Sequence, residues 1–336
     1  MGANKPILID AVHITMGGGR MLLEILCFAL LTRKISFCLL RDARCRPLSG
    51  VDSQCEYVIS GEVERRDFYK RNTIEFGSIL CFANIPPTIK QKCPVYTYFH
   101  NINLLKIPSG LSFKRKIISF LKRLYISYYS RHTDSWIVQT QNTEDCLRKA
   151  LPCNGKAIFQ MPFYRRVIPL NCNQVRKDYI LVGDYTGTRG HDELLKAWEV
   201  LKKQGINAVL HLTVSKDNPF SNIIDSYVKM GVPIINHGII PFEEVCELYC
   251  KCKATIYPSV NESLGLGIIE AIDAGCDVIG VDLPYVHSVC NPTLTFKNIT
   301  PEEIAEAVLL YESFKAQKTT LKIQNKLDEL INCLLD

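Results

Sequence analysis

The chain has no apolar run near the ~20 residues that cross a bilayer, and its first residues, MGANKPILIDAVHI, lack the layout of a secretory signal. Pro6 stands where a myristoylation signal carries Ser or Thr. A cytoplasmic protein is therefore expected. No CxxC pair is present, and the fifteen cysteines are scattered and odd in number, which argues against a zinc ribbon or a disulfide framework. Reduced thiols are expected, with Cys246, Cys250 and Cys252 as small buried side chains rather than metal ligands. There is no D-x-D pair to hold a divalent ion, no low-complexity tract and no repeat of about 20 to 50 residues. MGGGR, Met16 to Arg20, lacks the third glycine of the dinucleotide fingerprint, which argues against a Rossmann dehydrogenase.

What is present suits a soluble protein of two domains. The 336 residues exceed one comfortable core, and 47% apolar with 22% charged residues is a globular balance. The first half reads as short β-type runs, PILIDAV, ISFCLL, EYVIS, SILCFAN, VYTYFH and SWIVQT, separated by amphipathic or turn-rich segments. That alternation predicts parallel βα units. Two prolines and clustered cations in PFYRRVIPLNCNQVRKD, Pro162 to Asp178, break the pattern and mark a domain boundary.

The second half restarts the alternation with strands YILVG, AVLHLTV, VPIINHG, ATIYPS and DVIGVD between helical segments, and ends in two helices, TPEEIAEAVLLYESF and LKIQNKLDELINCLL. The prediction is a first domain over 1–165, a second over 175–318, and a C-terminal helix within 319–336 for which the first domain is a candidate packing surface. Ligands are expected at the carboxyl ends of the strands and in a cleft between two doubly wound α/β domains.

The stretch YPSVNESLGLGIIEAIDAG, Tyr257 to Gly275, carries the most chemistry. A strand ends at Tyr257 and Pro258, a loop crosses the rim, and a helix is expected from near Ile268, with Glu270 in its first turn. The first amides of a helix have no intrahelical partner and hold phosphate well. Gly265 and Gly267 permit close approach of the backbone to a ligand. Glu262 precedes those amides, and Glu262 and Glu270 together could accept from hydroxyls at two ends of one ligand. Sugar hydroxyls at both ends with phosphates between them describe a nucleotide sugar.

ESLGLGIIEAIDAG followed by CDVIGVD resembles the signature of the family 4 retaining glycosyltransferases of the GT-B fold, E-G-F-G-L-x-x-x-E-A-x-x-x-G before a Val-Ile strand. Glu262, Gly265, Leu266, Glu270, Ala271 and Gly275 match, while Ser263, Leu264 and Gly267 depart from it. The resemblance implies GT-B architecture: two Rossmann-like domains with a cleft between them. It implies that Glu262 meets the donor sugar, that Glu270 holds the ribose, and that the amides from Gly265 to Ile268 receive sugar hydroxyls and diphosphate.

YILVGDYTGTRGHDELLKAWEVL resembles the family's first strand, loop and helix of the donor domain. Arg189 stands at its diphosphate-binding Lys, and Asp184 stands where a second cation is usual. INHGIIPFEEV resembles the loop that packs on the base, which implicates Ile240. In the first domain the resemblance assigns Gly18 and Gly19 to the cleft and His100 to the reacting sugar. Asn101 beside His100, and Asn84 at a strand end, are candidates for the acceptor side, although a turn role suits Asn84 better.

The implied reaction is transfer of a sugar with retention from a nucleoside diphosphate to a lipid-linked saccharide, without a metal or other cofactor, in assembly of bacterial O-antigen, capsule or lipopolysaccharide. Two alternatives stay open: a catalytically silent GT-B subunit that binds nucleotide sugar, and a sugar-nucleotide epimerase. No recognised nucleic-acid module is present.

Charge is concentrated within a net +6. KIPSGLSFKRKIISFLKRLYISYYSR, Lys106 to Arg131, has no carboxylate, and Phe113, Ile117, Phe120, Leu121, Leu124 and Tyr128 recur at helical spacing beside Lys114, Arg115, Lys116, Lys122 and Arg123. A basic amphipathic helix is expected, either packing its apolar stripe on its own domain or touching an anionic membrane at the inner face of the cytoplasmic membrane.

Overall fold

A computed structural model describes residues 5–48, 50, 56–72, 74–106, 113–153, 155–167, 175–313 and 317–336. Residues 107–112 of the basic stretch and 168–174 of the predicted boundary lie outside the described residues. The chain divides into two compact units, Met1–Arg165 with Gln324–Asp336, and Arg166–Ile323.

The first unit runs β1 (Ile7–Ala11), α1 (Gly17–Thr32), β2 (Phe37–Asp42), β3 (Glu56–Ile59), α2 (Glu62–Arg71), β4 (Ile79–Cys81), β5 (Val95–Phe99), α3 (Phe113–Tyr129), β6 (Ser135–Val138), α4 (Gln141–Ala150) and β7 (Ile158–Gln160). Its seven described strands lie in the order β3-β2-β1-β4-β5-β6-β7. Every pairing is parallel. Strands of such a sheet are covered on both faces, which is why β1, ILIDA, is buried at every position although it contains Asp10. The face of α1 that meets the sheet carries Leu22, Leu23, Leu26, Cys27 and Leu30, spaced as an apolar stripe requires.

The second unit runs β8 (Asp178–Leu181), α5 (His191–Lys203), β9 (Leu210–Leu212), α6 (Phe220–Lys229), β10 (Ile234–Asn236), α7 (Phe242–Lys251), β11 (Cys252–Tyr257), α8 (Leu266–Asp273), β12 (Asp277–Val281), α9 (Pro284–Val289), β13 (Cys290–Asn291), β14 (Leu294–Phe296), α10 (Pro301–Ser313) and β15 (Thr320–Leu321). Its main sheet is β10-β9-β8-β11-β12-β14, again parallel. Trp198 on α5 anchors one layer, with its indole N–H donating to the Ala208 carbonyl at 3.1 Å and its ring meeting Tyr179 edge-on at 5.4 Å.

Three expectations are corrected. LKIQNKLDELINCLL is not one helix. Thr320 and Leu321 pair antiparallel with β13, and the helix, α11, spans only Leu327–Leu335. α11 belongs to the first unit, where Leu330, Ile331 and Leu334 are buried and Ser78 donates to the Leu334 carbonyl. FEEVCELYCKC reads from its sequence as one helix through Cys252, but strand β11 starts at Cys252, so that residue leaves the helix of Cys246 and Cys250. Cys250 is disulfide-bonded rather than reduced, whereas Cys27, Cys81, Cys252, Cys276 and Cys290 are buried thiols.

Candidate active site

In the second unit the strand order reverses between β8 and β11, and at such a point the loops leaving the carboxyl ends diverge to leave a crevice. The loop after β8 brings Arg189 to that rim, and the loop after β11 brings Glu262. Arg189 Nε lies 3.7 Å from Glu262 Oε1, and Arg189 Nη1 lies 3.5 Å from the Val182 carbonyl. These are long contacts for a guanidinium with five donors, and the side chain is only 29% exposed. Burial works against its charge, but Tyr257, Glu262 and Asp184 around it hold its pKa above the ordinary value. A half-buried cation with long-range partners is suited to receiving an anion.

Glu262 is held from one side. Its Oε1 accepts from Ser259 at 3.2 Å and from Tyr257 at 3.5 Å. Tyr285 in turn donates to the Ser259 carbonyl at 2.7 Å and fixes the loop. Among the described residues Oε2 has no such partner, so it is the oxygen a ligand hydroxyl can reach. Burial lifts the Glu262 carboxyl above its ordinary pKa, with Arg189 pulling the other way.

The helix after this loop begins two residues earlier than expected, at Leu266, capped by Gly265 in the left-handed conformation (φ +68°) without a side-chain cap. Two consequences follow. The Ile268 amide is satisfied by the Gly265 carbonyl at 2.9 Å, while the Leu266 and Gly267 N–H groups carry no hydrogen bond among the described residues. The open amides are therefore Leu266 and Gly267 rather than the whole span to Ile268. Glu270 sits a turn further in than expected, 6% exposed, with its Oε2 3.3 Å from the Tyr249 hydroxyl.

Asp184, the unusual acid, is engaged in structure. Its Oδ1 accepts from the Ser215 amide at 3.0 Å and from Asn218 Nδ2 at 3.1 Å, tying the loop after β8 to the loop after β9. The segment after β10 is pinned by Asn236, whose carboxamide bonds both backbone groups of Val214 at 2.9 and 3.0 Å. Ile240 points inward against the cluster of Ile180, Val245 and Tyr249, and its neighbour Ile239 is the exposed side chain of that loop.

In the first unit the order reverses between β1 and β4, and the predicted residues Gly19, Asn84, His100 and Asn101 meet there. Asn84, at φ +69°, accepts from the amides of His100 at 2.7 Å and Asn101 at 2.9 Å. His100 Nε2 is 2.9 Å from the Phe82 carbonyl, which can only accept. The ring proton is therefore on Nε2, and Nδ1 is left as an acceptor. Burial lowers the His100 pKa to about 4, so the ring is neutral at pH 7. Gly19 is obligatory beside it, because a Cβ there would meet the ring at 2.9 Å. Gly18 is exposed in the first turn of α1.

The sequence reading missed several supports. Ser259, Tyr257 and Tyr285 hold Glu262, and only the spacing S-V-N-E hints at the first of them. Gly183 makes room for Arg189. In the first unit Arg65 and Asp10 form a buried ion pair at 2.7 Å that Tyr69 joins at 2.6 Å. Arg65 also bonds Glu62, which pairs with His13 at 3.0 Å beside β1.

Residues 176–311 match the family model described as Glycosyl transferases group 1. Over 134 residues the chain is 26% identical to the serotype-specific mannosyltransferase WbdA of Escherichia coli, covering 39% of this chain and 16% of that protein. It is 31% identical over 81 residues to the O-antigen chain mannosyltransferase RfbU of Salmonella typhimurium, covering 24% and 22%. The chain thus spans less than a quarter of either curated relative.

Among solved structures it is similar to sucrose-phosphate synthase from Thermosynechococcus elongatus, with TM-score 0.70, 15% identity, and 92% and 90% of the two chains covered. It is also similar to the pneumococcal O-GlcNAc transferase GtfA in complex with UDP and GlcNAc, with TM-score 0.68, 12% identity and 92% of each chain covered. The fold is GT-B, as expected.

Proposed function

We propose that the protein is a glycosyltransferase that moves a sugar from a nucleoside diphosphate to a lipid-linked saccharide in O-antigen or lipopolysaccharide assembly. The observation that carries this reading is Arg189, a half-buried guanidinium with only long contacts, set at one switch-point rim with the open amides of Leu266 and Gly267 and with Glu262 Oε2. Such a set complements a diphosphate next to a hydroxylated ring. The partial matches to two mannosyltransferases and to the family model support the same direction.

In this reading Arg189 and the two amides neutralise the leaving diphosphate, and Glu262 Oε2 accepts from a donor-sugar hydroxyl. Glu270 is assigned to the ribose and the loop around Ile240 to the base, with Ile239 the side chain exposed toward a ligand. In the first unit, His100 Nδ1 accepts from a sugar hydroxyl beside Gly19, with Asn101 and Gly18 near the acceptor. Retention follows a front-face course. The bond from C1 to the phosphate oxygen breaks, the acceptor oxygen bonds C1 on the same face, and the acceptor proton passes to the departing phosphate oxygen. No enzyme base is required, and charge neutralisation is assigned to Arg189 and the amides rather than to a divalent ion.

The test is calorimetric binding of nucleoside diphosphates with and without a chelator. Selective binding of one of them, unaffected by chelation, is expected. Absence of binding to well-folded protein would overturn the reading, and binding that a chelator abolishes would overturn its metal-free part.

A further inference from the structure

α3 is an amphipathic helix turned inside out. Of its described side chains only Ile126 is buried, whereas Phe113 (79% exposed), Ile117, Phe120, Leu121 (57%), Leu124 and Tyr128 (58%) face outward. At about 100° per residue these six fall within a stripe about 100° wide, nearly opposite Ile126. The helix is nevertheless fixed to its unit: Arg123 donates to the Leu105 carbonyl, Tyr125 bonds Glu62, and Tyr129 packs edge-on against Tyr125 at 4.7 Å. A stripe of this kind on a tethered helix is an apolar surface awaiting a partner.

The cations identify the partner. Lys114 stands about 70° to one side of the stripe's centre, and Lys116 and Arg123 stand about 100° to the other. Arg123 lies over the Phe120 ring at 5.4 Å, and Arg131, just past the helix, lies over Tyr128 at 4.2 Å. No carboxylate occurs between Phe113 and Tyr129. A second copy of this surface would bring like charges together, whereas an anionic bilayer offers hydrocarbon to the stripe and headgroup charge to both flanks, where Lys and Arg stems reach it. We propose that α3 docks flat on an anionic lipid surface through Phe113, Ile117, Phe120, Leu121, Leu124 and Tyr128, with Lys114, Lys116 and Arg123 at the headgroups.

This assignment narrows the sequence expectation. Lys122 is about 150° from the centre of the stripe and faces away from the lipid, and the side chain of Arg115 lies outside the described ones. The docking surface stands independently of the transferase reading. If both hold, a lipid-linked acceptor arrives close to the first unit's rim, because Tyr125 of α3 bonds Glu62, which pairs with His13 at the end of β1.

The test is sedimentation of the full chain with phosphatidylcholine vesicles made with and without phosphatidylglycerol. Binding is expected to require phosphatidylglycerol and to weaken with salt. Leu121→Glu with Leu124→Glu, and separately Lys114→Glu with Lys116→Glu, are each expected to lower binding more than about tenfold, while Lys122→Glu changes it less than about twofold. Should a reversal unfold the helix, Lys114→Gln with Lys116→Gln carries the same test. Failure of the unaltered protein to bind, an equal loss with Lys122→Glu, or loss of self-association instead of vesicle binding in the Leu variants overturns the proposal. Nucleoside diphosphate binding, measured on the same variants, should be unchanged, and its fate in the unaltered protein judges the transferase reading separately.

Discussion

The Arg189 guanidinium occupies the space that a side chain at Gly183 would need: a Cβ built there falls 1.6 Å from Nη1. Gly183 also holds φ +130°, a conformation strained for any L side chain. The glycine two residues past the end of β8 therefore sets the position of the cation.

Gly183→Ala is expected to push Arg189 off its place and to weaken nucleoside diphosphate binding about tenfold or more, with the fold retained by circular dichroism. Calorimetry is the measurement. An alanine variant that binds like the unaltered protein would show that the position of Arg189 is immaterial.

Glu262→Gln keeps the shape of the side chain and the Ser259 contact but removes the negative charge that faces Arg189 at 3.7 Å. Transfer from the donor identified by calorimetry should fall about 100-fold or more while diphosphate affinity holds or rises. Retained transfer in this variant would remove Glu262 from the site.

Asp184 replaces an expected cation, and the three bonds its Oδ1 accepts, including one from Tyr185 at 2.9 Å, give the reason it is tolerated. Asp184→Ala should cost about 1–3 kcal/mol of stability in denaturant unfolding by leaving the Ser215 and Asn218 donors unpaired, and Asp184→Asn, which keeps an acceptor, should cost less. Equal loss in the two would refute the loop-tying role.

His100 sets a pH dependence. Its folded pKa of about 4 lies below the ordinary 6.5, so the unfolded chain binds the extra proton first. Stability of the first unit is full above pH 6.5 and is lost as pH falls toward 4, by about 3 kcal/mol over the window. Unfolding curves between those pH values should flatten in His100→Gln, and a ring that titrates near 6.5 by NMR would contradict the geometry. His191, buried in the second unit and likewise lowered to about 4, adds the same sign of dependence there.

Much of this was legible in order of residues. The runs PILIDAV, YILVG and ATIYPS announced strands because a parallel sheet is covered on both faces and selects largely apolar runs, while Cys252, the first residue of β11, read as the end of the preceding helix. Short strands such as Ile158–Gln160 and Leu294–Phe296 were missed because three residues carry too little periodicity to distinguish a strand from a loop. Glu262 was marked by its glycine-rich context, yet Ser259, Tyr257 and Tyr285, which orient it, were not. The Ser259 and Tyr257 hydroxyls reach it, and Tyr285 reaches the Ser259 carbonyl, only after the loop has folded back on β11.

The sequence by itself determined the alternating α/β pattern, the rim loops that carry Arg189 and Glu262, and the charge and apolar spacing of α3, since each depends on local periodicity, glycine placement or composition. Only the tertiary structure decided that α11 returns to the first unit, that Asp184 ties two loops, that Ile240 turns into the core, and that the apolar stripe of α3 faces outward. Those outcomes rest on contacts between residues far apart in the chain, and the free energy that selects them belongs to the packed surfaces rather than to any one segment.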